Sequence, residues 1–271
     1  VSDEKQYVLG TDRDELERLG LQHRAWRAQA YEHWERAGFG PGSRVLDVGC
    51  GPGWATLDLA PIVGDEGSVT AIDVSRRFLD HIEAQVRRAG ITNVRTRESD
   101  LLALDLEPGS ATGAWCRWVL SFVRDPDAAI GRVARVLRPG ATWALQEYVS
   151  YSSMRLGPRG AALPRVVRAI EESWRAQGGE PDVGLRLPTL LEKHGLSVIE
   201  TRPISRIARP GSLLWEWPGS FFSVFVPKLV TAGHLTKAEA DAFLEEWRSA
   251  SKDPGSVFFA PSVVAVTAVK R

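Results

Sequence analysis

Three glycines in five positions, Gly49-Cys50-Gly51-Pro52-Gly53, follow a short apolar stretch, Arg44-Val-Leu-Asp-Val48, and precede a helical one that starts at Trp54. This order predicts a strand, a tight turn and a helix. Glycine lets the backbone turn sharply and approach a ligand with no Cβ in the way. In a nucleotide-binding α/β sheet the first such turn lies at the crevice where ligands sit. Asp73 closes the next apolar stretch, Ser68 to Asp73, with no charged neighbour on either side. A carboxylate at that strand end can accept hydrogen bonds from both hydroxyls of a ribose. The dinucleotide fingerprint Gly-x-Gly-x-x-Gly is not met, because its third glycine would fall at Trp54 or Thr56. An acid just before the glycines, Asp47, suits a ligand that carries an ammonium group better than one that carries a diphosphate.

The alternation continues along the chain. Asp12 to Ala37 has helical spacing and stops at Gly38-Phe-Gly-Pro-Gly42. Helices are expected from Arg76 to Ala89 and from Pro126 to Leu137, the second behind an Asp125-Pro126 start. Strands are expected at Asn93 to Arg97, Thr112 to Arg117 and Ala141 to Glu147. Five strands alternating with helices predict a parallel sheet covered on both faces, since each parallel step needs a crossover. Farther on, Gly160 to Gln177 and Leu187 to His194 read as helices, and Leu196 to Arg202 as a sixth strand. Thr236-Lys-Ala-Glu239 is a capping box for a helix to about Ala250, and Ser262 to Val269 is a seventh strand. The stretches 148–186 and 203–261 break the alternation and are expected to add helices over one edge of the sheet.

Composition narrows the partners. Thirty-four basic and 34 acidic residues in 271 give a formal net charge of zero, so no electrostatic footprint for nucleic acid or an anionic membrane exists. No apolar run reaches about 18 residues and no leader pattern opens the chain, so a cytoplasmic protein is expected. Cys50 and Cys116 lie in apolar runs and are expected to be unpaired. Neither has metal-ligand spacing to His23, His33, His81, His194 or His234, so no metal is expected.

Val45-Leu-Asp-Val-Gly-Cys-Gly-Pro-Gly53 resembles the first motif of class I S-adenosylmethionine-dependent methyltransferases, and Val69-Thr-Ala-Ile-Asp73 resembles the second. Glu98-Ser99-Asp100-Leu101 is similar to the segment after the third strand. Arg117-Trp-Val-Leu-Ser-Phe-Val-Arg-Asp-Pro126 and Arg135-Val-Leu-Arg-Pro-Gly140 resemble signatures of the small-molecule branch. The resemblance covers about 44–147. Tyr7-Val-Leu-Gly10 and the helix carrying Leu19, Leu21 and Gln22 resemble the N-terminal cover of bacterial members of the ubiquinone and menaquinone biosynthesis type. It implies a Rossmann-like seven-stranded sheet, mostly parallel with the last strand antiparallel, helices on both faces and added helices as a lid. The implied division is an N-terminal helical cover at 1–43, a cofactor-binding core at 44–147, and a remainder at 148–271 with cap insertions.

The implied cofactor is S-adenosyl-L-methionine. The resemblance puts its methionine part on Asp47 and the backbone of Gly49, Cys50, Gly51 and Arg117. It puts the ribose on Asp73, and the adenine between Val74 and Leu101 beside Ser99 and Asp100. Tyr7, Gln22 and Trp118 complete that set. One position departs: the family often opens its fourth strand with Phe-Asp, where this chain has Ala111-Thr112.

Methyl transfer is an in-line displacement from an already activated sulfonium. Alignment at about 3–3.5 Å and exclusion of water can carry it, with a general base only for a poorly acidic acceptor. Glu147 and Tyr148, after the fifth strand, are the candidates for a base or substrate anchor. A strand-end carboxylate paired with an arginine is the plainer reading of Glu147. Trp118, Ser121, Trp215, Phe221 and Phe222 are candidate substrate contacts; for Trp118 core or wall packing is the plainer reading, and for the C-terminal aromatics burial of the added helices against the sheet or a second subunit is an equal alternative. The expected activity is methylation of O, C or N on a small hydrophobic or aromatic molecule, with no nucleic-acid or membrane partner and a homodimer as one option. The rival readings are an NAD(P)-dependent oxidoreductase and a non-catalytic cofactor-binding protein.

Overall fold

The computed structural model describes residues 13–158 and 160–271. In chain order the elements are α1 (Arg13–Arg36), β1 (Arg44–Val48), α2 (Trp54–Val63), β2 (Ser68–Asp73), α3 (Arg76–Ala89), β3 (Val94–Glu98), β4 (Ala111–Arg117), α4 (Pro126–Val136) and β5 (Leu137–Ser150). There follow β6 (Arg155–Gly157), α5 (Leu163–Ala176), α6 (Leu187–Lys193), β7 (Leu196–Ile204), β8 (Ile207–Ala208), α7 (Leu213–Thr231), α8 (Lys237–Lys252), β9 (Val257–Phe259) and β10 (Ser262–Lys270).

Seven strands form one sheet in the order β3-β2-β1-β4-β5-β10-β7. β10 alone runs against its neighbours β5 and β7. β1 pairs in parallel with β2 on one side and β4 on the other, and four of its five residues are buried, as a central strand covered on both faces requires. Because the chain leaves β1 for β2 on one side and reaches β4 on the other, the carboxyl ends of these strands open a crevice.

The crossover helices are set by local chemistry. Ser75 accepts the Phe78 N–H at the start of α3, and Gly90 ends it with a left-handed φ of 66°. Asp125 accepts the Ala128 N–H ahead of Pro126 in α4, and Thr236 and Glu239 form both halves of a capping box on α8. One apolar core lies beneath α4 and α6, built on Ile72, Ala114, Trp143, Leu145 and Val266. A second, rich in aromatics, packs α1, α5, α7 and α8 over the carboxyl ends of β4 and β5.

Two features differ from expectation. The stretches 148–186 and 203–261 carry helices α5, α7 and α8 but also a three-stranded sheet, β6-β9-β8. Its strands are two or three residues long, too short to show an alternating pattern. β5 also runs from Leu137 to Ser150, past both ends of the stretch expected, because Ala111 of β4 pairs with Leu137 and β10 pairs as far as Ser150. Among the described residues no helix is long and apolar enough to cross a membrane. Cys50 and Cys116 are buried free thiols.

Candidate functional site

Where β1 leaves the sheet, Gly49, Gly51 and Gly53 all take left-handed φ, at 66°, 53° and 84°. The three are glycine for different reasons. A Cβ at Gly49 would come within 2.4 Å of Val119, and one at Gly53 within 2.3 Å of Ile82, whereas one at Gly51 would meet no protein atom within 4 Å. Gly51 thus opens onto free space. Asp73 ties this turn to β2: one carboxylate oxygen accepts the Gly51 N–H at 2.8 Å and the other the Ser75 N–H at 2.9 Å. Burial pushes the Asp73 carboxyl above its usual range, while the backbone N–H groups of Ser75 and Gly51 act against that shift. Asp47 is buried and accepts the Thr56 hydroxyl at 2.6 Å. Burial lifts its pKa to about 6, opposed by that hydrogen bond and by the cation of Arg117.

The turn forms one end of a cavity of about 600 Å³. Asp47, Gly49, Cys50, Gly51, Asp73 and Val74 line this end, with Ser99, Asp100 and Leu101 beside them. Asp100 is fixed as a cap, accepting the Leu102 N–H at 3.0 Å, and Val74 is one of the few exposed large apolar residues. Arg117 stands next to the turn, and the far wall is made by Trp118, Phe122 and Trp174, with Gln22 reaching in from α1. Gln22, Trp118, Phe122 and Trp174 also border a second, small cavity of about 50 Å³ whose other walls include Tyr148, Tyr151, Trp217, Phe221 and Phe222. Gln22 is held there by the Trp217 indole N–H, which donates to its Oε1 at 3.1 Å.

Trp118 stands between the two cavities. It is the one non-glycine residue described with positive φ, at 54°, a costly conformation for a bulky residue unless its surroundings fix it. They do so on several sides. Its ring stacks on Tyr148 (centroids 5.2 Å, planes 10° apart) and on Trp217 (5.6 Å, 7°), and Trp26 meets it edge-on at 5.0 Å. Glu147 secures the chain that follows. One of its oxygens accepts the N–H groups of Val119 and Leu120 at 2.9 and 2.8 Å, and the other accepts the Ser121 hydroxyl at 2.8 Å. This bends β4 into a short 3₁₀ turn, Leu120–Phe122.

The structure therefore brings Gln22, Asp47, Gly49, Cys50, Gly51, Asp73, Val74, Ser99, Asp100, Leu101, Arg117 and Trp118 to one cavity. Tyr148, Phe221 and Phe222 come to the adjoining one. Glu147 and Ser121 are fully buried, bonded to each other, and reach neither cavity; among the described residues Glu147 makes no ion pair with an arginine either, its partners being backbone N–H groups, the Ser121 hydroxyl and the Cys116 thiol. Burial raises the Glu147 pKa to about 7. Trp215 also lies away, stacked on Trp247 at 4.7 Å with its N–H on the Ser251 hydroxyl. Tyr7 falls outside the described residues. Sequence reading missed His23, Trp54 and Trp217 as cavity walls. His23 and Trp217 sit on helices that show no local sign of what they face, whereas Trp54, next to the glycine turn, could have been found by its position.

Residues 45–140 match the family model described as a methyltransferase domain. The chain is similar to an O-methyltransferase of Penicillium expansum, at 28% identity over 66% of this chain and 60% of the relative. It is also similar to the ubiquinone/menaquinone biosynthesis C-methyltransferase of Shewanella woodyi, at 34% identity over 46% of this chain and 49% of the relative. The matched stretches span 30–60% of the length of the first curated relatives. Among solved structures, a putative methyltransferase from Bacillus halodurans superposes with a TM-score of 0.63 at 18% identity, covering 90% of this chain and 99% of that one. Residues 45–140 thus match a methyltransferase domain, and the chain shares the fold of that solved structure, a seven-stranded sheet covered by helices.

Proposed function

We propose that the protein is an S-adenosylmethionine-dependent methyltransferase that moves a methyl group to O, C or N of a small hydrophobic or aromatic molecule. One observation carries this reading: a single cavity joins the glycine turn and Asp73 at one end to a wall of Trp118, Phe122 and Trp174 at the other. The residues present fit the cofactor. Gly51 leaves space where a side chain would stand, and Asp73 retains lone pairs for ribose hydroxyls beyond those used by two backbone N–H groups. Val74 and Leu101 offer apolar faces to an adenine, with Asp100 beside them. When bound, the cofactor supplies an activated methyl on a sulfonium.

The chain's own residues bind, orient and exclude water. Asp47, buried and anionic near neutral pH, offers a charge matched to an ammonium. Trp118 forms the boundary between the two cavities, and we assign Tyr148, Trp217, Phe221 and Phe222, which line the smaller one, to the wall that meets a flat apolar acceptor. Glu147 is a positioning residue: its hydrogen bonds hold the Trp118 turn. Segments 148–186 and 203–261 form the cap that carries this wall. The quinone-type ring of the ubiquinone/menaquinone relatives is the sort of acceptor such a wall suits.

The test is incubation with S-adenosylmethionine carrying a labelled methyl and a panel of phenols, hydroquinones and polar amines. Label is expected in the aromatic members. Label in none of them, or tight binding of NAD(P)H with none of the adenosyl compound, overturns the reading.

A further inference from the structure

We propose that the Arg117 guanidinium is a built carboxylate anchor for the amino-acid end of the cofactor, held in position by His23 and Asp58. This rests on the cofactor reading above and goes beyond it, because it assigns three side chains that the methyltransferase motifs leave without a task.

Arg117 ends β4 and lines the large cavity. Its hydrogen-bond partners among the described residues are neutral: the Trp26 carbonyl at 3.3 Å and the Nδ1 of His23 at 3.2 Å. The rings of Trp118 and Trp115 pack near it at 5.2 and 5.8 Å. No carboxylate of the described residues forms an ion pair with it, although the field of Asp47 acts on it. A cation kept in an apolar wall beside a cavity, without a contacting anion, is costly unless something in that cavity compensates it. Burial draws its pKa down to about 10, which leaves it charged at neutral pH.

The neighbours of Arg117 fix its geometry. Asp58 on α2 takes two hydrogen bonds from Arg27, each 2.7 Å, and lies 2.9 Å from Nε2 of His23. Those partners hold the Asp58 pKa down at about 2, so it is a carboxylate and can only accept. The proton of His23 therefore sits on Nε2, and the Nδ1 lone pair is left to accept from Arg117 Nη2. The charged groups facing His23 are Asp58, Arg117 and Arg27, and burial keeps the ring neutral by lowering its pKa. The line Arg27, Asp58, His23, Arg117 runs from the surface of α1 through α2 to the cavity. It aims a planar fork of donors, the geometry that a carboxylate matches with two oxygens.

A carboxylate could belong to the cofactor or to the methyl acceptor, and two adenosyl probes separate these sources. S-adenosylhomocysteine carries the amino-acid end; 5′-methylthioadenosine lacks it. Calorimetric titration of the wild-type protein is expected to favour the first by about 10- to 100-fold, the range of hydrogen bonds to a charged group. Arg117→Met is expected to lose about tenfold of that preference, the remainder being the ammonium's contact with Asp47, while binding 5′-methylthioadenosine as the wild type does, which also shows that the variant is folded. His23→Leu is expected to lose part of it, and His23→Asn to restore it, since an asparagine oxygen can occupy the place of Nδ1. A preference undiminished in Arg117→Met, or equal weakening of both probes, overturns the anchor. His23→Leu with the wild-type preference overturns the role of His23. A wild-type protein that binds neither probe defeats the cofactor reading itself, a result distinct from the others.

Discussion

The two ends of the cavity are built on opposite plans. At the glycine end the determining contacts are made by backbone: left-handed glycines, N–H groups donated to Asp73, and strand ends aligned by the parallel register of β1 with β2. At the aromatic end they are made by side chains from distant elements. Trp26 of α1 meets Trp118 at the end of β4 and Trp217 of α7, and Trp217 in turn bonds Gln22 from 195 positions away. The first plan tolerates almost no change of backbone and serves a ligand of fixed structure. The second is a packed wall whose shape can be altered one ring at a time. A fixed donor and a variable acceptor would call for this division.

The comparison can be broken most severely at Gly49. Gly49→Ala places a Cβ against Val119 and forces a side chain into left-handed φ, and the two effects together are expected to destabilise the fold by on the order of 4 kcal/mol. Gly51→Ala, with the same φ but open space, is expected to cost only about 1–2 kcal/mol. Equal losses in chemical denaturation would mean that the close approach of Val119 is unimportant.

Between the two ends stands Glu147, whose burial lifts its pKa to about 7 from the ordinary 4.5. The folded protein therefore keeps a proton that the unfolded chain releases, so stability falls as pH rises from about 4.5 through 7. The largest loss from this group is on the order of 3 kcal/mol. Glu147→Gln is expected to flatten that portion of the pH dependence, since its amide mimics the protonated acid: the oxygen accepts from Val119 and Leu120 and the NH₂ donates to Ser121. Denaturation at pH 5 and pH 8 measures it, and identical slopes for the two proteins would show that Glu147 is ionised throughout.

A smaller effect sharpens the contrast. Phe221 is half-buried in the wall of the small cavity, proposed above for the acceptor, and stacks on Phe225 at 5.0 Å. Phe221→Ala is expected to raise the KM of an aromatic acceptor about tenfold, roughly the apolar contact of part of one ring. The affinity for S-adenosylhomocysteine should not change. A change in both would place Phe221 at the cofactor instead.

This division also explains what could be read before any coordinates. The strand, glycine turn, helix and Asp73 were legible because each is a local pattern: β1 and β2 have the expected bounds, and Asp125 and Thr236 cap helices as their side chains suggest. The seven-stranded sheet with β10 reversed followed from the family resemblance. The acceptor wall was legible only as a crowd of aromatics. Trp215 and Trp217 are two residues apart on one helix, yet Trp217 faces the cavity and Trp215 packs on Trp247, and only the docking of α7 against α1 and α8 decides which does which. From the sequence Glu147 reads as a base or substrate anchor, or as a strand-end carboxylate paired with an arginine. Its actual partners, two backbone N–H groups and a hydroxyl, belong to a turn whose shape no spacing reveals.

The most direct measurement is calorimetric titration of S-adenosylhomocysteine into the wild-type protein and Asp73→Ala. One site per chain is expected, weakened by about 1.5–3 kcal/mol in the variant through loss of hydrogen bonds to a charged group. Absence of binding to the wild type, or the same affinity in both proteins, would contradict a cofactor seated between the glycine turn and Asp73.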